Sequence, residues 1–209
     1  MQKPLNDLTL PDYVNELAHR DEDLARIVLT YGPPPLWQRE PGFQTLLHII
    51  LEQQVSLASA RAAFNRLLDA TNPLTPGNFL LLGDEELKRI GFSRQKTKYG
   101  RELSNAISSG SLDLPGLAGL EDGAAREQLV RVKGIGSWTA DIYLLMALGR
   151  PDIWPHGDLA LLVALQRVKH LPERPTPQAA REISAAWQPW RAVAARLLWH
   201  FYLSERKKT

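Results

Sequence analysis

Cysteine is absent from the 209 residues of this chain. Without thiols the protein has no disulfides, no thiolate-bound zinc and no cysteine-ligated iron–sulfur cluster. No apolar run approaches the ~18 residues that a membrane helix needs. The first residues, MQKPLNDLTL, also lack the apolar core of a signal peptide. These absences predict a cytoplasmic protein with no membrane partner.

Neither sign of charge is in large excess. The chain has 25 Lys and Arg and 23 Asp and Glu, which gives a net charge of +2. Hydrophobic residues make up 44% of the chain, which is enough to build a core. The distribution of charge is uneven, because residues 88–101 hold six basic side chains and no acidic one. Such a run is either a solvated helix face or a contact for DNA phosphates, and the sequence leaves both open.

The apolar pattern is helical along nearly the whole chain. Apolar residues recur three and four positions apart, no stretch alternates with a period of two, and we expect about eleven short helices in an all-α fold. Proline and glycine break the pattern at Pro33–Pro35, Asn72–Pro73 and Pro76–Gly77, and a Pro/Gly loop covers 111–122. The predicted helices are one from Pro11, then 21–31, 42–53, one from Ser56 to about 70, 84–90, 93–108, 123–132, 137–148, 159–169, 176–187 and 189–204.

A two-glycine turn joins two of these helices. The segment reads Leu129-Val130-Arg131-Val132-Lys133-Gly134-Ile135-Gly136-Ser137-Trp138-Thr139-Ala140. Glycines permit a positive φ and leave backbone amides uncovered. Those amides, with the N-terminus of the second helix, suit a DNA phosphate. A Gly-x-Gly turn is also an ordinary joint between packed helices, so the turn alone does not decide between the two interpretations.

Three further segments extend this motif. They are Glu52-Gln53-Gln54-Val55-Ser56, Trp154-Pro155-His156-Gly157-Asp158-Leu159-Ala160 and Trp187-Gln188-Pro189-Trp190-Arg191. Together with the hairpin they resemble the helix-hairpin-helix (HhH-GPD) DNA glycosylase superfamily, which is named for the hairpin and a following Gly/Pro-rich loop with an aspartate. The closer resemblance is to its AlkA-like branch, the 3-methyladenine DNA glycosylases II. It covers about 42–204, and the chain looks like a compact form without the N-terminal β domain of larger members.

This resemblance implies a fold and an activity. The fold would be all-α and two-lobed with an interlobe active-site cleft. One lobe, 42–150, would carry the helix-hairpin-helix at about 124–148, and the other, 1–41 plus 151–209, would carry the catalytic aspartate. The activity would be that of a base excision repair hydrolase. It would bind double-stranded DNA as a monomer, flip out alkylated bases of the 3-methyladenine and 7-methylguanine type, and cleave the N-glycosidic bond to leave an abasic site. The enzyme would need no cofactor, and in a bacterium it would be associated with the nucleoid.

Asp158 is the catalytic residue that the resemblance implies. Cleaving an N-glycosidic bond builds positive charge on the deoxyribose, and a fixed carboxylate stabilises that charge. An aspartate directly before an apolar helical run is also a common helix N-cap. The two roles are compatible.

The resemblance also implies a base pocket and a wedge. Trp138 and Trp199 would be pocket walls, because flat, electron-rich indoles suit an electron-poor methylated purine, although tryptophans also fill cores. Ile142 stands where larger relatives often have an aromatic residue, so the pocket would be wider or less aromatic. Gln54 would fill the gap that the flipped nucleotide leaves in the duplex.

Contacts to the DNA backbone are implied for the hairpin turn. The residues concerned are Arg131, Lys133, Gly134, Ile135 and Gly136. On resemblance alone, the backbone carbonyls of Val130, Val132 and Ile135 would hold a structural Na⁺ or K⁺.

Members of the superfamily differ in whether they also cut the DNA strand after they release the base. Bifunctional members carry a nucleophilic lysine two residues after the second hairpin glycine, and Trp138 occupies that position here. The resemblance therefore implies a monofunctional hydrolase without a Schiff base. Three alternatives stay open: a non-catalytic protein that binds damaged DNA, a glycosylase/lyase for other lesions, and a metabolic all-α enzyme with a chance hairpin.

Overall fold

The computed structural model describes residues 3–207, and this part of the chain contains helices and loops but no β-strand. The all-α prediction is therefore confirmed. No described helix is both long and apolar enough to cross a membrane. The α-helices are α1 (Leu10–Arg20), α2 (Glu22–Tyr31), α3 (Phe43–Glu52), α4 (Leu57–Ala70), α5 (Pro76–Leu81), α6 (Asp84–Ile90), α7 (Arg94–Ser108), α8 (Asp122–Val130), α9 (Ser137–Met146), α10 (Leu159–Val168), α11 (Pro177–Ser184) and α12 (Arg191–Arg206). Short 3₁₀ turns lie at Pro115–Gly119 and Ala185–Trp187.

The predicted break at Pro76–Gly77 is wrong, because α5 begins there. The Thr75 side chain accepts a hydrogen bond from the Asn78 amide at 3.2 Å and caps the helix. Pro76 occupies the first turn, where its missing N–H has no intrahelical partner to lose. The same residue type that ends helices elsewhere therefore begins one here.

The described residues divide into two compact units. The first joins the chain up to Gln38 to the chain from Leu144 onward, and the second is Arg39–Tyr143. The predicted boundaries, after 41 and after 150, differ from these. The chain leaves the first unit after Gln38. The Leu36 carbonyl still binds Arg196 of the first unit, whereas the Arg39 guanidinium binds Glu52 in the second unit. It returns within α9, because the Leu145 carbonyl also binds Arg196.

The first unit is built around α12, which is buried from Ala192 to Trp199. Arg196 lies in this core with 1% of its surface exposed. Its guanidinium donates to the carbonyls of Leu36 at 2.8 Å, Ala192 at 3.1 Å and Leu145 at 3.0 Å. Burial lowers the pKa of Arg196 to about 10, so the group stays charged at neutral pH. It therefore satisfies three carbonyls on three segments at once.

A second polar cluster in this unit is centred on Asp21. Its carboxylate caps α2 and accepts hydrogen bonds from Lys169 Nζ and Trp187 Nε1, each at 2.7 Å. Burial raises the pKa of Asp21, but the hydrogen bonds from Lys169 and Trp187 outweigh it, and the pKa lies below its ordinary value of 3.8. The folded protein therefore favours the ionised carboxylate.

This network predicts a pH-dependent stability. A carboxyl whose pKa is lower in the folded than in the unfolded state stabilises the fold above its unfolded pKa, and loses that contribution as the pH falls through its folded pKa. We expect Asp21→Asn to lower the free energy of unfolding by about 2 kcal/mol at pH 7, and by progressively less from about pH 5 to pH 2. Urea unfolding over that pH range measures the difference, with the exposed Asp12→Asn as control. A difference that did not change with pH would contradict the assignment.

The second unit packs around α3. All its apolar residues from Leu46 to Leu51 are buried, and His48 among them is half-buried. Helix α3 contacts both α4 and α7. Helices α5 and α7 approach closely at Gly100, where an added Cβ would lie 2.6 Å from the Phe79 ring. This unit holds the two-glycine hairpin.

Candidate active site and DNA-binding hairpin

Asp158 is the N-cap of α10. Its Oδ1 accepts hydrogen bonds from the Leu161 amide at 2.9 Å and from Trp199 Nε1 at 3.1 Å. The capping interpretation is confirmed by the first bond. The second comes from α12, so the carboxylate is held by two helices of the first unit. Its catalytic role stays a prediction.

Trp199, predicted as a wall of the base pocket, is almost fully buried, and that role stays a prediction. Only 8% of its surface is exposed, and its observed polar contact is the donation to Asp158. Its ring meets that of Trp37 in an edge arrangement, with centroids 6.3 Å apart and planes at 75°. Trp37 has a φ of +49° and is only half-buried. Sequence reasoning missed Trp37, because it follows Pro33–Pro35 outside any helical pattern.

The hairpin turn is anchored by apolar side chains. It runs from Arg131 to Gly136 between α8 and α9, with Val132 and Ile135 buried. The Val132 amide donates to the Leu129 carbonyl at 3.1 Å, and the Ile135 amide donates to the Val132 carbonyl at 3.0 Å. Arg131 and Lys133 are exposed. The turn therefore holds its apolar residues inward and offers basic side chains to solvent.

The fold constrains the two glycines of the turn differently. Gly134 has a φ of +100°, and a Cβ there would lie 2.3 Å from the Tyr99 ring. Gly136 has an ordinary φ, and a Cβ there would meet no atom within 4 Å. Gly134 is therefore required by the fold, whereas the space beside Gly136 is open.

Gln53 ties the end of α3 to the hairpin. Its Nε2 donates to the Gly134 carbonyl and to Thr139 Oγ1, both at 2.9 Å. The adjacent Gln54 is exposed, with a φ of +57°. A non-glycine residue in this left-handed region costs about 1 kcal/mol or more. The predicted wedge therefore lies on an exposed, strained turn, and its role stays a prediction.

Trp138 and Ile142 lie on α9. Trp138 is half-buried, whereas Ile142 is 3% exposed and offers little surface to a ligand. Between them in sequence, the fully buried Asp141 forms an ion pair with Arg126 of α8, which locks the two hairpin helices together. These residues, with Gln54, belong to the Arg39–Tyr143 unit, whereas Asp158 and Trp199 belong to the other.

The basic run 88–101 divides by role. Lys96 donates to the Leu51 carbonyl at 2.6 Å, and burial lowers its pKa. Arg101 donates to the Leu82 carbonyl at 3.0 Å and pairs with Asp84 at 2.6 Å. These two side chains serve the fold. Four exposed basic residues remain for a phosphate: Arg89, Arg94, Lys98 and Lys88, of which Lys88 lies 3.9 Å from Glu85.

The carbonyls predicted to hold a monovalent cation lie at the same turn. The Val132 carbonyl already accepts the Ile135 amide, which leaves one of its two lone pairs. Carbonyl oxygens are suitable ligands for Na⁺ or K⁺. The described residues contain no group of three His, Cys, Asp or Glu that could hold a metal ion. The Na⁺ or K⁺ site, built from Val130, Val132 and Ile135, stays a prediction.

A family model described as the HhH-GPD superfamily of base excision DNA repair proteins matches residues 47–189. The chain belongs to this superfamily. The matched residues include Gln53, the whole hairpin and Asp158. The resemblance inferred from the motifs is therefore confirmed.

Solved structures of two DNA glycosylases have the same fold as this chain. A 3-methyladenine DNA glycosylase of Schizosaccharomyces pombe, in complex with abasic DNA, is 27% identical with a TM-score of 0.83, covering 90% of this chain and 95% of that one. A DNA-3-methyladenine glycosidase from Bacillus halodurans is 28% identical with a TM-score of 0.77, covering 94% and 91%. Bacillus subtilis YfjP is 27% identical over 184 residues, which are 84% of this chain. The match spans 64% of the length of YfjP.

Proposed function

We propose that the protein is a monofunctional DNA glycosylase that removes alkylated purines, such as 3-methyladenine and 7-methylguanine, from double-stranded DNA. The observation that carries the proposal is the Asp158 carboxylate, which is fixed by the Leu161 amide and the Trp199 indole in a chain of the HhH-GPD superfamily. The names of its relatives support the alkylated substrate class.

The carboxylate would act on the sugar. As the N-glycosidic bond breaks, positive charge develops on the deoxyribose, and a preorganised anion facing it is worth about 3 kcal/mol. The two donors to Asp158 Oδ1 orient the group before the reaction. Water then adds to the sugar carbon and releases a proton. A cationic alkylpurine leaves as a neutral base, so a separate general acid is not required.

The hairpin would hold the DNA. The amides around Gly136 and the exposed side chains of Arg131 and Lys133 are suited to phosphates. Gln54, on its exposed turn, would enter the duplex in place of the flipped nucleotide. Trp138 occupies the position of the lyase lysine, so no Schiff base with the sugar is expected.

The test is a set of duplexes that each carry one modified base, with free base measured by chromatography and affinity measured in parallel. We expect release from 7-methylguanine and 3-methyladenine duplexes, and none from an unmodified duplex. Tight binding to the alkylated duplexes without release would make the protein a binding module. Release confined to an 8-oxoguanine duplex, with a cut strand, would make it a glycosylase/lyase for oxidised bases.

A further inference from the structure

The end of α3 is held by three successive residues, each bound to a partner distant in sequence. The Leu51 carbonyl accepts a hydrogen bond from Lys96 Nζ at 2.6 Å. The buried Glu52 carboxylate pairs with the Arg39 guanidinium through two bonds of 2.8 and 3.1 Å. Gln53 follows with its two bonds to the hairpin. The end of the helix is therefore fixed to three other segments of its unit.

Gln54 differs from these anchored residues. It is exposed, and its side chain makes no hydrogen bond or ion pair with any part of the chain that the structure describes. Its φ of +57° lies in the left-handed region, which costs free energy and persists only where surrounding contacts impose it. A rigid helix end thus presents one unbound side chain from a fixed backbone conformation.

The side-chain amide of Gln53 has only one orientation that satisfies its partners. A carbonyl oxygen only accepts hydrogen bonds, so the Gly134 carbonyl must face the NH₂ end of the amide. The two hydrogens of that group serve both bonds, and the second bond goes to Thr139 Oγ1. Gly134 is itself held against the Tyr99 ring, and Thr139 is 2% exposed on α9. Gln53 therefore joins the end of α3 to the turn and to the second helix of the hairpin.

We propose that Gln53 is a positioning residue that couples the predicted wedge, Gln54, to the hairpin. This inference rests on the proposed function. Phosphates bound at the hairpin turn fix the duplex relative to Gly134, and the bonds of Gln53 fix Gln54 relative to the same residue. Gln54 therefore meets the gap left by the extruded nucleotide at a set position, and little ordering is left to be done when DNA binds. Without these bonds the phosphate contacts would remain, but the turn that carries Gln54 could move.

Two duplexes test this, one undamaged and one with a stable abasic-site analogue, because only the second has a gap for the wedge to fill. We expect Gln53→Met, which nearly keeps the size of the side chain but removes both donors, to lower the preference for the abasic duplex about tenfold. Affinity for the undamaged duplex depends on phosphate contacts and should change by less than about twofold. A 2-aminopurine opposite the abasic site should lose most of the fluorescence change that the unaltered protein produces on binding.

Three further variants separate positioning from support of the fold. In a protein that already carries Gln54→Ala, Gln53→Met should change the preference by less than about twofold, because the residue that it positions has been removed. Thr139→Val removes one of the two bonds from the other side, so it should lower the preference by a smaller factor, and it carries the test if Gln53→Met is unstable. Gln44→Met breaks an amide bond to the Leu74 carbonyl, 3.2 Å long, at the other end of α3, and should leave both affinities unchanged.

These readouts use DNA from which no base is released, so they are independent of the reaction. An equal loss of affinity for both duplexes, or the same loss of preference with and without Gln54→Ala, would show that Gln53 only supports the hairpin. Failure of the unaltered protein to release 7-methylguanine would instead overturn the proposed function.

Discussion

Replacing Asp158 with asparagine should lower the single-turnover rate of base release by about a hundredfold or more, and should leave the melting temperature nearly unchanged. The asparagine Oδ1 can accept the same two hydrogen bonds, from the Leu161 amide at 2.9 Å and from Trp199 Nε1 at 3.1 Å. The variant therefore loses the negative charge and keeps the cap. Affinity for lesion DNA should survive, because the phosphate contacts are untouched.

Two further variants separate the cap from the charge. Asp158→Ala should be equally inactive and also less stable by about 1 kcal/mol, because α10 loses its cap. Thr176→Ala removes a comparable cap, the bond from the Ala179 amide at 3.1 Å on α11, and should lower stability while base release continues. An Asp158→Asn variant with near-normal release would show that Asp158 is only a cap.

Replacing Gly136 with alanine should weaken binding to damaged and undamaged duplexes alike, by about thirtyfold. The added methyl meets no protein atom within 4 Å and no positive φ opposes it, so the fold should tolerate it. It would stand in the open space through which a phosphate oxygen reaches the amides of the turn. The log–log dependence of affinity on salt should keep nearly the same steepness, because a neutral amide releases no counterion and Arg131 and Lys133 keep their charges.

Gly134→Ala is the matched comparison for this effect. Its Cβ would meet the Tyr99 ring and its φ is +100°, so we expect a lower melting temperature as well as weaker binding. Fluorescence anisotropy at several salt concentrations, beside thermal unfolding, separates the two variants. A Gly136→Ala protein with unchanged affinity would exclude the turn amides from the DNA contact.

Local signals predicted most of the helices. The period of three to four residues and the caps at Ser56 and Asp158 are properties of short segments, and both side chains cap as expected. The wrong prediction of a break at Pro76–Gly77 also comes from relying on local signals. Proline is compatible with a break and with the first turn of a helix, and the choice depends on the Thr75 hydrogen bond.

Partners distant in sequence could not be predicted in this way. Gln53 binds the Gly134 carbonyl 81 residues away, and Trp199 binds Asp158 across 41 residues. A motif predicts that such residues belong to a site, but periodicity carries no information about which side chains pair.

Above all, we expect the protein to hydrolyse an alkylated base from DNA without a covalent protein intermediate. A duplex with a single 7-methylguanine, incubated with the unaltered protein in two parallel portions, gives the decisive measurement. In the portion without reductant we expect free 7-methylguanine and a full-length strand that breaks only in alkali. In the portion with cyanoborohydride, which traps a Schiff base, we expect no protein–DNA adduct. A trapped adduct with a cut strand, or an intact lesion in tightly bound DNA, would contradict it.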